Sequence, residues 1–311
     1  RNMKLTRRAF HGLALSSLAP AAALAANHIG LSRLSAITDE IAVTPAGAIE
    51  FCHQYGLQWV EIRSVPGPKN TYLDVPDAEI QELARSFKAA RLGVSFIDSS
   101  LFKYVLPGSE PVRRANVPDE VWRRRLAGAA ARFEKRNEEL RKWIRIAHTL
   151  NCNKLRFFAF SRVAEPEALF PRIAEVDNEA AEIAGKEGVR LILENEGSCN
   201  VGTSAELAKL ANMLPAKHVG INWDPENGAA HETPFPDGYA LLPKKRIENV
   251  QVKGRNIIPG YKGVLPWEQI FRTLEKDGFQ GKVGLETHIF DNLVPSAHLA
   301  IKEMIRCASK G

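Results

Sequence analysis

The stretch LILENEG (residues 191–197) places two carboxylates, two residues apart, at the end of an apolar run. Three further runs are built in the same way: VGINWDP (219–225), NVQVKG (249–254) and KVGLETH (282–288). Short apolar runs of this kind predict strands buried on both faces, as in parallel sheets. A single acidic strand end is commonly a helix cap or a surface residue, but four in succession require a shared reason.

Strand-like runs alternate with amphipathic helical patterns along the chain. The predicted strands are 34–38, 57–63, 92–97, 154–160, 189–195, 218–224, 247–253 and 282–287. The predicted helices include 77–90, 133–150, 174–187, 204–213, 267–277 and 295–308. Eight β/α alternations fit a (β/α)8 TIM barrel better than a doubly wound sheet, and no G-x-G-x-x-G motif follows any strand. We therefore predict an α/β protein with a single (β/α)8 barrel domain over residues 26–311.

The segment 103–145 is longer than one crossover connection requires. It is dense in Arg and Glu at helical spacing, which predicts a solvated helix that extends the βα loop after strand three. Such a loop would lie over the mouth of the barrel. Because Glu134, Glu138 and Glu139 are interleaved with the basic residues, the segment is not a typical nucleic-acid surface.

The first residues have the pattern of an export signal. Residues 1–25 combine a basic start, an apolar stretch and the small-residue pattern Ala23-Leu24-Ala25, and the pair Arg7-Arg8 indicates the twin-arginine route. We therefore predict a signal peptide over 1–25 and a periplasmic mature protein. A membrane anchor is the alternative, but the apolar part is short, and no later stretch approaches the ~20 apolar residues of a membrane span.

Removal of this segment changes the charge balance. Residues 1–25 contain four basic residues and no acidic one, so the formal net charge falls from +6 to +2. A nearly neutral chain gives little support to nucleic-acid binding. We expect no nucleic-acid partner, and no membrane association once the signal is removed.

The four cysteines indicate neither a metal ribbon nor a disulfide framework. Cys52, Cys152, Cys199 and Cys307 are scattered and form no C-x-x-C pair, which argues against a zinc-ribbon site. The periplasm permits disulfides. Twin-arginine substrates, however, cross the membrane already folded from a reducing cytoplasm, so we expect four buried free thiols.

The polar strand ends predict one shared site. In a (β/α)8 barrel the carboxyl ends of the strands converge on the mouth, where active sites lie. Side chains two residues apart share a strand face, so Glu194, Asp224, Gln251 and Glu286 can all point into one cavity. Three neighbouring carboxylates would raise one another's pKa, and a divalent cation removes that cost. We expect one such ion, Mn²⁺ first, with Mg²⁺, Co²⁺ or Zn²⁺ as alternatives, because hard cations prefer oxygen ligands.

At these residues the chain resembles the xylose isomerase-like TIM barrels, a superfamily that includes ketose 3-epimerases, inosose dehydratases and endonuclease IV. The motifs that resemble the family are GLQWVEIRS, RKWIRIAHTLNCNKLRF, LILENEG, NWDPENGAA, VQVKG and PWEQIFRTLEKDGFQGKVGLETH. The resemblance implies one divalent metal held by Glu194, Asp224, Gln251 and Glu286. It also implies that Glu194 and Glu286 form the catalytic acid/base pair.

The chain departs from the commonest family pattern at three positions. Gln251 stands where the strand-seven ligand is usually His, although an amide oxygen can still bind a metal. Asn227 and Glu196 also occupy positions that are often His. These departures leave the substrate open, and with it the choice between epimerisation and another reaction.

Further candidates for substrate binding lie near the strand ends or in the adjoining loops. They are Glu196, Asn227, His231, Lys253, His288, Arg63 and Arg156. Lys253 suits an enolate or a substrate oxygen, or alternatively an ion pair at the rim. His231 lies in a loop where contact with substrate and simple solvation are both open.

A metal flanked by two carboxylates suits proton abstraction next to a carbonyl, through an enediolate. The first prediction is therefore a sugar isomerase or epimerase that acts on a keto-sugar. The same enediolate can expel a β-substituent, so a lyase or dehydratase acting on a 3-keto-glycoside or an inosose is the alternative.

Two other functions are compatible with a sugar pocket or with the family. A non-catalytic periplasmic sugar-binding barrel is the third option, although binding alone would not need both glutamates. A nuclease of the endonuclease IV type is disfavoured, since the histidines of its three-zinc cluster are missing. We expect a small carbohydrate as the partner, and the chain leaves the oligomeric state open, with a homo-oligomer as one option.

Overall fold

Eight parallel strands form a barrel in this computed structural model, which describes residues 28–67, 70–113 and 117–310. The strands are β1 (Leu34–Ala36), β2 (Trp59–Ile62), β3 (Gly93–Leu101), β4 (Lys154–Phe157), β5 (Arg190–Glu194), β6 (Val219–Trp223), β7 (Ile247–Lys253) and β8 (Lys282–Glu286). Each strand pairs with the next in sequence from β2 to β8, and β8 pairs with β1. A parallel bridge between Ile37 and Glu61 joins the end of β1 to β2. The predicted (β/α)8 fold is therefore confirmed.

Within the described ranges, eight longer helices surround the barrel. They are α1 (Pro45–Tyr55), α2 (Asp77–Ala89), α3 (Asp119–Glu134), α4 (Arg136–Thr149), α5 (Phe170–Lys186), α6 (Ser204–Asn212), α7 (Trp267–Lys276) and α8 (Leu293–Ser309). Short helical turns lie at Thr38–Ile41, Pro225–Gly228, Tyr239–Leu241 and Gly254–Ile257. The helices cover the outer face of the sheet. For this reason the strand side chains that point outward, toward the helices, are apolar.

Three elements differ from the predicted pattern. α1 was not predicted, although Thr44 caps it, Pro45 begins it and the left-handed Gly56 ends it. The helix predicted over 133–150 corresponds to α4, and only its first two residues belong to the preceding helix α3, which ends at Glu134. β3 continues to Leu101, because residues 98–101 remain beside β4 in the barrel wall instead of turning into a loop.

The start of α6 follows its sequence signal. The Thr203 hydroxyl accepts from the backbone N–H of Glu206, while the Glu206 carboxylate accepts from the backbone N–H of Thr203. This reciprocal capping box satisfies two backbone donors that the helix itself cannot use. It fixes the chain direction directly after β5 and the loop that follows it.

The interior of the barrel is polar. Asn222 on β6 lies in register with Glu194 on β5 and with Asn249 on β7, and all three side chains are buried. Gln251 follows two residues after Asn249 on the same face. The strand alternation therefore places amide and carboxyl groups inside the barrel and apolar groups against the helices.

Three further features are the N-terminal segment, the cysteines and the character of the helices. The predicted signal segment 1–25 lies outside the described residues. All four cysteines are buried as free thiols. Within the described ranges, we find no helix with the length and apolar character needed to span a membrane.

Candidate functional site

A cavity of about 770 Å³ opens at the carboxyl ends of the strands. Its deep wall contains Glu194 from β5, Lys253 from β7 and Glu286 from β8, while α3 contributes part of its outer wall. This is the end of the barrel at which (β/α)8 enzymes have their active sites. The volume lies within the usual range for a small-molecule site.

Glu194 is held by Arg156 and Asn222. The Arg156 guanidinium lies 3.1 Å from Glu194 Oε2 and 3.2 Å from Asp98 Oδ1, and the Asn222 amide donates to Glu194 Oε2. Burial raises the pKa of Glu194 to about 7, with Arg156 opposing this shift and the nearby Glu286 adding to it. The carboxyl group can therefore both accept and release a proton near neutral pH.

Asp224 and Glu286 share Lys253. The Lys253 ammonium lies 2.8 Å from Asp224 Oδ2 and 3.9 Å from Glu286 Oε2, and it donates to Asn227 Oδ1 at 2.6 Å. Burial acts to lower the pKa of Lys253, but the two carboxylates outweigh burial and raise it. Asp224 Oδ1 also accepts from the backbone N–H groups of Glu226 and Asn227. Asp224 is thus a helix N-cap as well as a site residue.

Glu286 lies among cations. Arg63 contacts Glu286 Oε1 at 3.0 Å and Glu40 Oε1 at 2.6 Å, and His288 Nδ1 lies 3.5 Å from both carboxylates. Burial acts to raise the pKa of Glu286, but Lys253, His288 and Arg63 outweigh burial and hold it well below its usual value. Hydrogen bonds to Glu286 and Glu40 raise the pKa of His288 to about 9. Glu286 is therefore ionised, and His288 is an imidazolium at neutral pH.

Gln251 is turned toward the interior of the barrel. Its amide nitrogen donates to Glu61 Oε2 at 2.7 Å and to Asp98 Oδ1 at 3.2 Å. Its amide oxygen is buried and has no hydrogen-bond partner among the described residues. Gln251 does not line the cavity surface itself.

The remaining candidates divide into two groups. Glu196 lines the cavity and pairs with Lys103 at 2.9 Å, and Asn227 lines it beside Lys253. His231 is exposed and is not part of the cavity lining. The structure thus assembles every predicted substrate-binding residue except His231 around the mouth.

Three acidic residues of the site were not among the candidates predicted from the sequence. Glu40 follows β1, Asp98 lies in β3 and Glu61 lies in β2; all three are buried. Glu61 accepts from the Ser35 hydroxyl at 2.6 Å. Their signal was the same as that of Glu194, an acidic residue at or near a strand end, but it occurred on the first three strands, whereas the four similar runs belong to strands five to eight.

The model of one protein family matches residues 49–310, and its description is xylose isomerase-like TIM barrel. The chain belongs to the xylose isomerase-like TIM barrel family. No curated protein matches it in sequence. Many solved structures are similar to this chain in fold.

Three of these structures illustrate the likeness. An L-ribulose 3-epimerase is 17% identical, with a TM-score of 0.63 over 90% of this chain and 96% of its own. The IolI protein with a bound zinc atom is 18% identical, with a TM-score of 0.62 over 89% and 98%. A TIM barrel protein from Mycobacterium smegmatis in complex with magnesium is 16% identical, with a TM-score of 0.62 over 90% and 97%. At these identities the likeness establishes the fold.

The donor chemistry of the site fits a divalent cation. The free amide oxygen of Gln251 and the free Oδ2 of Asp98 are buried acceptors with no partner among the described residues, and carboxylate and amide oxygens are the ligands of hard cations. In this structure, however, Lys253 and Arg156 already contact the carboxylates of Asp224 and Glu194. A metal and these two internal cations would therefore compete for the same charges.

One tighter group of potential ligands occurs among the described residues. Ligand atoms of Glu40, Glu286 and His288 lie within 4.8 Å of one another, whereas Glu194, Asp224 and Glu286 do not form such a group. Arg63 contacts both carboxylates of the tighter group, so a cation bound there would compete with this guanidinium for the same charges.

Proposed function

We propose that this protein is a sugar isomerase- or epimerase-like enzyme that removes a proton next to the carbonyl of a keto-sugar. The observation that supports this most directly is the contrast between two buried carboxyl groups that line one cavity. Glu194 has a pKa of about 7, whereas the pKa of Glu286 is held well below its usual value. Pairs of acids whose surroundings separate their pKa values are typical of acid/base sites.

Glu194 is the proposed base. Its pKa near the working pH makes proton abstraction and proton return comparably favourable. Arg156 fixes its orientation by contacting the carboxylate at 3.1 Å while bonding to the backbone oxygens of Asp98 and Ser99. The negative charge that develops on the substrate oxygens would lie near Lys253, whose ammonium is buried and points into the same cavity.

Glu286 forms the second side of the proposed proton transfer. The His288 imidazolium lies 3.5 Å from Glu286. It can supply a proton to the opposite face of the substrate carbon or to the neighbouring carbon. A divalent cation, Mn²⁺ by our proposal, held by Glu194, Asp224, Gln251 and Glu286, would polarise the carbonyl and stabilise the enediolate when bound. Glu196, Asn227 and Arg63 are the proposed contacts for sugar hydroxyls.

A lyase or dehydratase is the second proposal, supported by the shape of the cavity. The space continues from the carboxylates to an outer wall that includes Val112, Val117 and Trp122. A substituent attached to the sugar could occupy this apolar part and leave from the carbon next to the enediolate. A periplasmic location, proposed from the twin-arginine pattern in residues 1–25, suits a glycoside that bears no phosphate.

Deuterium incorporation tests this function. Purified protein is incubated with Mn²⁺ and a panel of keto-sugars and 3-keto-glucosides in D₂O, and exchange at the α-carbon is followed by NMR. Glu194→Gln should lower the exchange rate by about 10²–10⁴-fold, whereas Glu179→Gln, an exposed glutamate on α5, should leave it unchanged.

The products separate the alternatives. Exchange with a new sugar isomer supports the isomerase or epimerase, and release of the aglycone supports the lyase. Binding with neither exchange nor release would leave a sugar-binding barrel and contradict an enzymatic function.

A further inference from the structure

The outer wall of the cavity is built by one face of α3. Trp122, Arg125 and Ala129 follow one another at spacings of three and four residues, and Arg124, Gly128 and Arg132 form the adjacent row. Residues at these spacings lie side by side on a helix. The face that α3 turns toward the cavity is therefore both aromatic and strongly basic.

Cations deeper in the cavity have acidic partners. Arg156 contacts Glu194, and Lys253 contacts Asp224. Closer to the mouth, Lys103 pairs with Glu196 at 2.9 Å. Positive charge at these positions is already balanced within the protein.

Arg132 on α3 is balanced as well. It pairs with Glu139 at 3.0 Å and lies over the ring of Tyr104, with its guanidinium carbon 4.5 Å from the ring centre. Arg132 therefore belongs to the wall that supports the cavity, and its charge is not directed at a ligand.

Arg124 and Arg125 differ from these cations. Both line the cavity, and within the described ranges neither forms an ion pair or a side-chain hydrogen bond. Their neighbour Arg123 is also exposed but does not line the cavity. Two guanidinium groups without partners at the mouth of a site raise the local concentration of anions, and guanidinium groups bind carboxylates in a two-pronged geometry.

We propose that the substrate has an anionic group, a carboxylate or one of similar charge, at the end remote from the reacting carbonyl, and that Arg124 and Arg125 bind it. The inference rests on the proposed function for the location of the reacting end, beside Glu194. Trp122, in the same wall, would contact the apolar part that connects the sugar to the anion. The substrate class is therefore an acidic glycoside or an acidic sugar derivative, not a neutral free sugar.

A matched pair of probes tests this. The 4-carboxyphenyl and 4-carbamoylphenyl 3-keto-β-glucosides differ in charge but hardly in shape. Binding is measured by calorimetry to the full-length protein with Glu194→Gln, so that turnover does not interfere. We expect the acid to bind about 10-fold more tightly than the amide at low salt, and the difference to shrink as salt is added.

Variants on α3 locate the effect. Arg124→Gln with Arg125→Gln should abolish the preference for the acid, while Arg123→Gln, the matched control, should retain it. Circular dichroism and thermal unfolding verify that each variant folds.

Three results would overturn the proposal. These are equal affinity for the two probes, absence of measurable binding of both, or an equal loss in the Arg123 control. A charge preference in the binding experiment, together with no α-proton exchange by the wild-type protein in D₂O, would refute the proposed function and leave the anion site standing.

Discussion

The Lys253 ammonium lies 2.8 Å from Asp224 Oδ2 and 3.9 Å from Glu286 Oε2, so one buried lysine bridges the ends of β6 and β8. Asp224 and Glu286 are two of the four proposed metal ligands. The protein thus supplies positive charge of its own at the place where a divalent cation is proposed. This relationship leads to the first prediction.

Lys253→Met removes the internal cation and leaves buried carboxylates unpaired. Without metal, the variant should lose roughly 3–5 kcal/mol of stability, the usual cost of breaking a buried ion pair. Saturating Mn²⁺ should restore much of the loss, because the ion replaces the missing charge. Thermal unfolding with and without Mn²⁺ measures this, and Lys253→Arg, which keeps the charge, is the control. An identical loss in both conditions would count against a metal at this site.

Arg156 lowers the pKa of Glu194, the proposed base. Burial raises the pKa of Glu194 to about 7, and Arg156 opposes the shift. In the metal-free wild type, exchange that requires ionised Glu194 should therefore rise through about pH 7. Arg156→Met removes the opposing charge, so the pKa of Glu194 should increase and the rising limb should move to higher pH. Arg156→Lys should move it less. The measurement is the pH profile of α-proton exchange. An unshifted rising limb in Arg156→Met would exclude an effect of Arg156 on the pKa of Glu194.

Gly284 makes room for Glu61. A Cβ atom at position 284 would lie 2.1 Å from Glu61 Oε1, and Glu61 is fixed by Ser35 at 2.6 Å and Gln251 at 2.7 Å. Gly284→Ala should therefore destabilise the fold by about 1–3 kcal/mol, as overpacking does. Gly128→Ala is the comparison, because a Cβ atom there meets nothing within 4 Å, and it should stabilise α3 by roughly 0.5–1 kcal/mol. Urea denaturation of both variants would show whether the free energy of unfolding falls in Gly284→Ala and rises in Gly128→Ala.

Asp177 on α5 predicts a pH effect far from the mouth. Both carboxylate oxygens are buried without a hydrogen-bond partner among the described residues, and burial raises the pKa well above its usual value. The folded state then holds the proton more tightly than the unfolded chain, so stability falls as pH rises from about 4 toward the pKa of the folded state.

Asp177→Asn cannot ionise and should lack this slope. We expect it to be more stable than the wild type by roughly 1–3 kcal/mol at pH 7, with the difference disappearing near pH 4. The exposed Glu175 on the same helix provides the control variant Glu175→Gln. Unfolding free energies measured between pH 4 and 8 test this, and a pH-independent difference would contradict it.

The pattern of the chain was sufficient for the fold. Apolar runs of strand length alternate with helical periodicity eight times, and a parallel barrel is the arrangement that covers both faces of every such strand. The sequence predicted the order of the strands and helices better than the residues at which they end. β3 extends through Asp98 and its neighbours because tertiary pairing with β4 retains polar residues that locally resemble a loop.

By itself, the sequence determined that polar side chains at several strand ends gather at one end of the barrel, because parallel strands all end at the same edge. It could not determine which of those side chains meet. Glu61 and Gln251 are 190 residues apart, and Arg63 and Glu286 are 223 apart. Only closure of the barrel brings such pairs within bonding distance. Which cation neutralises which carboxylate was therefore decided by the tertiary structure, since strand register and side-chain length, and not position along the chain, set those distances.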